Sequence, residues 1–426
     1  QSRMVIKVLA IGDVGNTIRT LQKYVKKSEI RLINYPKDGS ALFTNLEGVE
    51  LFKTRKVSDQ VKKINQIKDD FDICLTTASE RIAYLADLNY VAYYLGRDID
   101  APMFVKNSTE RWQTEPLHRL NFFERKFYWN SFKNAVVHIA GKWQFEHLSK
   151  YTKNAINTAR DAVDTEQFNP NIKPIGRKKT KFTFFSPLRL DKSKGSDLLW
   201  EALKLCKSDF EILGVDWFEE TTEGAKKFKK KLLEEMPKQV KLIPVIKQSE
   251  IAKYYTWADG VIGNLFLGTH ESVGVESVLC GTPVIQYTNK KIKIVVDGVE
   301  IESPFLPLSN DPKSIAEVID KFVDSKEFRQ KLFEEERLFI KEICDPVKCG
   351  EWWDNLFYDL VKKHKSIRKN SSPLRVKLRL VYFLIVNRLY FYKLKRLLTG
   401  SYEKTGQALY DSVPQNSTYG TNHSKE

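Results

Sequence analysis

The sequence predicts an α/β protein: two Rossmann-like, doubly wound domains of parallel strands facing a cleft, followed by a basic helical extension. Three observations carry this. Short β-branched and aromatic runs alternate with helix-length amphipathic segments from Val5 to Phe322. That alternation is broken once, by Asn169-Pro170-Asn171-Ile172-Lys173-Pro174, and then restarts. Basic charge is concentrated near the C-terminus instead of being spread over the chain.

The elements follow in order. Val5 to Ile11 is a β-branched run that stops at Gly12, and a helical pattern starts at Thr17: strand, glycine turn, helix, the opening of a βαβ unit. Strands are expected at Ile30–Ile33, Asp72–Thr76, Tyr90–Leu95 and Val136–Ile139, and helices at Val57–Lys68, Ser79–Leu88 and Lys142–Lys150. After the Asn/Pro break, strands are expected at Lys181–Phe185, Phe210–Val215, Val240–Ile243, Gly260–Asn264 and Pro283–Tyr287. The helices between and after them are Ser196–Leu205, Lys226–Glu235, Glu250–Ala258 and Pro312–Phe322. The boundaries read from this pattern are a first domain over 1–170, a second over 171–345, a helix over 346–370, a basic amphipathic helix over 371–404 and a disordered tail over 405–426.

Seventy Lys and Arg against fifty-four Asp and Glu give a net charge of +16. Residues Lys362 to Lys404 alone carry +12, and the tail beyond them −1, so the body before Lys362 holds only +5. That distribution argues against a nucleic-acid partner, which a basic body would have suggested. The five cysteines (Cys74, Cys206, Cys280, Cys344, Cys349) have no paired ligand spacing and read as idle thiols. His118, His138 and His147 show no metal spacing and read as structural. No apolar run follows a basic start, so no secretory leader is read, and the longest apolar stretch, Leu380 to Val386, is far shorter than a membrane span. The chain is expected to be cytoplasmic.

Two stretches carry chemistry. In Phe185-Ser186-Pro187-Leu188-Arg189-Leu190-Asp191-Lys192-Ser193-Lys194-Gly195, a strand delivers Arg189 and Lys194 into one loop ahead of a helix N-terminus, a seat for a diphosphate. A solvated basic turn is the plain alternative. In His270-Glu271-Ser272-Val273-Gly274-Val275-Glu276 through Gly281-Thr282-Pro283-Val284, Glu276 opens a short apolar helix with its carboxylate directed at the cleft, placed to accept from two sugar hydroxyls. Here the alternative is an acid favoured by the helix dipole.

Together these stretches resemble the retaining, nucleotide-sugar-dependent glycosyltransferases of family 4, which have the GT-B architecture. The family's Arg-x4-Lys-Gly is matched by Arg189, Lys194 and Gly195, and its Glu-Ala-x3-Gly-x-Pro-Val by Glu276, Ser277, Gly281, Pro283 and Val284. Val240 to Ile246 with Glu250 to Asp259 resembles the family's base-edge region, and Asp164-Thr165-Glu166-Gln167-Phe168-Asn169-Pro170 its Asp-x3-Phe-x-Pro linker. Four ordered matches are more specific than any one.

The resemblance implies that Arg189 and Lys194 neutralise the departing diphosphate and that Glu276 holds the ribose. Gly12 and Gly15 would let backbone approach the donor, and Ile246, Thr269, His270, Glu271, Ser272 and Val273 would complete the donor site. Gly268 stands where the family has a second Glu, so Glu271, or His270 with backbone amides, would hold the sugar instead. Tyr94-Leu95-Gly96-Arg97-Asp98 lies where the family has His-x-Gly-x-Asp, which places Asp98 among the catalytic residues and Arg97 on an acceptor phosphate; a surface ion pair is the alternative. By resemblance no metal and no cofactor is required, the partners are a nucleotide sugar and a glycan or polyprenyl-linked acceptor, and the leaving phosphate assists the incoming hydroxyl.

The tail mixes Arg375, Lys377, Arg379, Arg388, Lys393, Lys395 and Arg396 with apolar residues, and Val376, Leu380, Phe383, Leu384, Phe391, Leu394 and Leu398 share one helical face. Two readings stand: an interfacial helix over 371–400 on an anionic membrane surface, or a helix covering the first domain. A non-catalytic sugar- or membrane-binding protein of the same fold, and a basic RNA-binding protein, are the rival functions.

Overall fold

The computed structural model describes residues 5–13, 15–35, 47–54, 56–95, 122–218, 223–363 and 372–388. The chain forms two compact units; the first contains the described residues up to Asn157 and those from Val347 onward, and the second runs from Thr158 to Pro346.

The first unit is built on a seven-stranded parallel sheet of β1 (Ile6–Ile11), β2 (Ser28–Asn34), β3 (Glu50–Leu51), β4 (Ile73–Thr76), β5 (Tyr90–Tyr93), β6 (Val137–Ala140) and β7 (Ala155–Asn157). The order is β3-β2-β1-β4-β5-β6-β7, and β1 lies between its neighbours with Val8 opposite Ile30 on one side and Ile73 on the other. Four consecutive residues of β1, Val8 to Ile11, are buried, as a strand covered on both faces requires. The helices are α1 (Thr17–Tyr24), α2 (Val57–Ile67), α3 (Glu80–Leu85), α4 (Phe122–Lys133) and α5 (Lys142–Leu148).

The second unit has a five-stranded parallel sheet ordered β10-β9-β8-β11-β12, from β8 (Phe182–Ser186), β9 (Phe210–Val215), β10 (Val240–Ile243), β11 (Gly260–Ile262) and β12 (Val284–Ile285). Alternate residues divide between its two faces. Phe184, Ile212, Ile262 and Ile285 pack in one core, while Phe185, Leu213, Val261 and Val284 pack in the other. Its helices are α6 (Ser196–Leu203), α7 (Glu223–Glu234), α8 (Ile251–Trp257), α9 (Ser272–Leu279), α10 (Pro312–Asp324) and α11 (Lys326–Ile343), and a hairpin of β13 (Ile294–Val296) and β14 (Val299–Ile301) is added. Asp311 caps α10 by accepting from Ser314 N at 3.0 Å, and Ser325 caps α11 by accepting from Phe328 N at 3.1 Å.

The units divide at Asn157, earlier than the Asn/Pro stretch suggests. β7 ends there as the edge of the first sheet, and from Ala159 the backbone bonds to the second unit (Ala159 N to Val295 O, 2.8 Å). Asp164 to Pro170 is therefore a folded turn of the second unit: Phe168 N donates to Asp164 O at 2.9 Å, and the Phe168 ring is buried in its core.

After α11 the chain returns to the first unit. In α12 (Pro346–Lys363), Trp353 meets Tyr93 edge-on at 5.0 Å, and Asp354 Oδ2 accepts from Lys26 N and Lys27 N at 2.7 and 2.9 Å. Helix α13 (Pro373–Arg388) packs on α3 and α4. Among the described residues, no helix is long and apolar enough to cross a membrane.

Candidate functional site

The carboxyl ends of the second sheet gather the residues singled out by sequence. The β8–α6 loop descends through Arg189 into a single 3-10 turn, Lys192–Lys194, capped by Asp191. Asp191 Oδ1 accepts from Ser193 Oγ at 2.6 Å and from Lys194 N at 3.1 Å. Its other oxygen pairs with Arg189 Nε, and the Arg189 guanidinium lies 5.6 Å from the Trp217 ring centroid. One carboxylate thus fixes both the arginine and the backbone of the lysine.

Lys194 reaches the β11–α9 loop, where its Nζ sits 2.7 Å from Glu271 Oε2. Asn264, fully buried after β11, ties the loops together: Nδ2 donates to Ser193 O (3.2 Å) and to Glu271 Oε2 (3.0 Å), while Oδ1 accepts from Phe266 N and Leu267 N. Leu265 N also donates to Lys194 O at 3.2 Å. The two stretches read separately in the sequence therefore form one hydrogen-bonded constellation. Asp191 and Asn264 hold it together, and both escaped the sequence reading. The signal for Asp191 was present, since an acid two residues beyond Arg189 and three before Lys194 suits a cap.

Gly268 sits at φ +77, and a Cβ there would lie 2.6 Å from Asn289 Cβ and 2.9 Å from Tyr287 Cε1. A glutamate cannot occupy this loop without moving it, so Glu271 is the acid that the loop presents. Thr269 and His270 are buried; Thr269 O accepts from Gln286 Nε2 at 2.9 Å, and His270 Nε2 stands 3.2 Å from Asp161 Oδ2 with Phe339 edge-on at 5.3 Å. Ser272 is exposed and Val273 half-buried at the start of α9.

Glu276 differs from its expected place. Helix α9 begins at Ser272, so Glu276 lies one turn inside it and does not open it. Tyr255 Oη donates to its Oε2 at 3.0 Å, and burial raises the carboxyl to about 8 despite that bond. At the end of β10, Ile246 is buried and lines a cavity of about 520 Å³ with Ile175, Arg177, Lys247 and Tyr254.

In the first unit, Gly12 and Gly15 take φ +81 and +95 in the turn between β1 and α1. Asp13 between them is buried, accepts from Ile18 N and Arg19 N at 3.2 and 3.0 Å, and is raised by desolvation to about 6 against the pull of those bonds. His138, stacked beside Tyr94, is lowered by burial to about 4. Arg97 and Asp98 lie outside the described residues.

Residues 167–339, within the second unit, match the family model for glycosyl transferases group 1. The fold and the domain together define the class: a glycosyltransferase enzyme of GT-B architecture, with two Rossmann-like parallel-sheet units. Similar solved structures include Anabaena HepE in complex with UDP and glucose, with a TM-score of 0.59, 15% identity, and coverage of 83% of this chain and 100% of that one. A sucrose-phosphate synthase from Thermosynechococcus elongatus has a TM-score of 0.61 at 13% identity, covering 83% and 100%. An alpha-glucosyltransferase in complex with UDP has a TM-score of 0.54 at 12% identity, covering 83% and 100%. No curated protein matches the chain.

Proposed function

We propose that this chain moves a sugar from a nucleoside diphosphate sugar, uridine-based in the first instance, to an acceptor hydroxyl with retention of anomeric configuration. The observation that carries the reading is the Lys194–Glu271 contact of 2.7 Å, which joins two loops at the carboxyl edge of the sheet beside Arg189. The UDP complexes of HepE and of the alpha-glucosyltransferase support the choice of base.

The sheet order gives the donor a track. From the end of β10 to that of β11 is three strand steps, or about 14 Å at about 4.8 Å each. The base would enter the cavity at Ile246, and the diphosphate would lie across Trp217, Arg189 and Lys194. The ribose would meet Glu276, whose carboxyl keeps its proton at neutral pH and so can both donate to and accept from a pair of hydroxyls. Lys194 would exchange Glu271 for a phosphate oxygen, and Asn264 would hold the released carboxylate toward the sugar. As the bond from C1 to the diphosphate breaks, the acceptor oxygen adds on the same face and its proton passes to the departing phosphate. Arg189 and Lys194 offset the charge that develops. The scheme calls on no metal and no covalent enzyme intermediate. In the same reading Gly12 and Gly15 admit the donor, Asp98 and Arg97 serve the acceptor, and that acceptor is a polyprenyl-linked or polysaccharide glycan handled at the cytoplasmic membrane face.

The test is Lys194→Ala with UDP-sugars. We expect UDP to raise the melting temperature of the wild type but not of the variant, and turnover to fall roughly 10²–10³-fold, as for loss of one charge-stabilising donor. Near-normal turnover in a folded variant would overturn the diphosphate assignment.

A further inference from the structure

We infer that the outer face of α13, with the start of α4, is the surface by which the first unit docks on an anionic lipid bilayer. It deepens the membrane-side part of the proposed function and rests on it for its purpose, but not for its test.

Helix α13 is apolar on two faces, and among the described residues only one is covered. The inner face is pinned. Val376, Phe383 and Val386 are buried, and Phe383 lies 5.2 Å from the Phe127 ring. Arg379 Nη1 stands 3.0 Å from Asp87 Oδ1 with its guanidinium 4.0 Å over Tyr84, and Asp87 Oδ2 accepts from Ser372 N at 2.7 Å. A helix fixed by a buried acid and an arginine cannot roll its other side inward. That other side carries Leu374, Leu378, Val381 and Ile385, exposed at 65, 60, 53 and 47%. At about 100° per residue they fall in an arc of about 60°. The face expected from sequence was the buried one, and its continuation at Phe391, Leu394 and Leu398 lies outside the described residues.

Tyr382 Oη donates to Phe123 O at 3.3 Å, which brings the first turn of α4 alongside. Phe122 there is 70% exposed. Charge decides what this surface meets. Lys377 flanks the stripe on one side and Arg375, whose Nε lies 3.1 Å from Asp87 Oδ2, on the other; no acid occurs between Pro373 and Arg388 or before Glu403, while Lys393, Lys395 and Arg396 follow in sequence. A second copy of the same face, or the basic segment that follows, would set like charge against like. A bilayer with anionic headgroups satisfies both the apolar stripe and its basic flanks.

The test is flotation of the full chain, without nucleotide or acceptor, on vesicles of mixed phosphatidylcholine and phosphatidylglycerol and on phosphatidylcholine alone. The wild type should bind the mixed vesicles and bind the neutral ones weakly. Leu378→Glu with Ile385→Glu should lower partitioning about a hundredfold, near tenfold for each apolar side chain withdrawn. Should the glutamates unsettle the helix, Leu378→Ser with Ile385→Ser gives the same readout. Equal binding by a folded double variant, or no binding of the wild type to anionic vesicles, overturns the proposal. So does a wild-type dimer that the double variant turns into monomer. UDP-induced stabilisation of the double variant reports the transferase site separately, so failure of one leaves the other legible.

Discussion

The proton on Glu276 gives the sharpest quantitative test of the site. Burial raises this carboxyl from an ordinary 4.5 to about 8, against a stabilising bond from Tyr255. Between those values the folded protein holds a proton that the unfolded chain releases. The stability this group contributes is therefore complete below about pH 4.5 and is lost as pH rises through about 8. Three and a half pKa units at about 1.4 kcal/mol each set a ceiling of about 5 kcal/mol. Glu276→Gln keeps the shape and the acceptor for Tyr255 while removing the ionisation. Differential scanning fluorimetry from pH 4 to pH 9 should show equal melting at the acid end and a variant more stable by about 4–10 °C at the alkaline end. Asp13 and Glu336, whose carboxyls are also raised by burial, contribute equally to both proteins and cancel in the difference. An offset that does not change with pH would refute the reasoning.

Gly12→Ala should cost about 2–4 kcal/mol, because a Cβ at φ +81 would lie 2.5 Å from Thr77 O; Gly15→Ala, with nothing within 4 Å, should cost only about 1 kcal/mol. Urea unfolding compares them, and equal costs would dismiss the close approach. Gly268→Ala should destabilise by about 2–3 kcal/mol and weaken UDP-sugar binding with it, read by melting with and without ligand. A stable variant with unchanged affinity would show that the loop's shape does not set the site.

Most strands were legible because they are compact β-branched or aromatic runs, and Phe182 to Ser186 or Phe210 to Val215 could serve as little else. Helix α11 was not legible: ten of its eighteen residues are charged, and its buried face is set by Leu332, Phe339, Ile340 and Ile343, too sparse to show against that background. Short edge strands such as β3 and β7 carry two or three residues and no periodicity. Within the site, Arg189, Lys194, Glu271 and Glu276 were each visible as chemistry on a loop or helix start. Their partners were not. The Lys194–Glu271 pair spans 77 positions, and Asn264 reads in sequence as the last residue of a strand, with nothing to say that its amide bridges two loops. Tyr255 sits on a helix whose apolar face gives it an ordinary core role, although its hydroxyl is spent on Glu276.

The path of the chain through its two units also sets an order of assembly. Every described strand of the first sheet is synthesised before Thr158, yet Trp353 and Asp354, which cover Tyr93 and satisfy the amides of Lys26 and Lys27, follow only after the whole second unit has been made. On the ribosome the N-terminal sheet must wait through about 190 residues of synthesis with that flank open. The described part of the second unit, Thr158 to Pro346, is continuous in sequence and is complete before α12 is made. A stop codon or a cut just past Pro346 would therefore injure the beginning of the protein, hundreds of residues upstream, and leave the neighbouring domain whole.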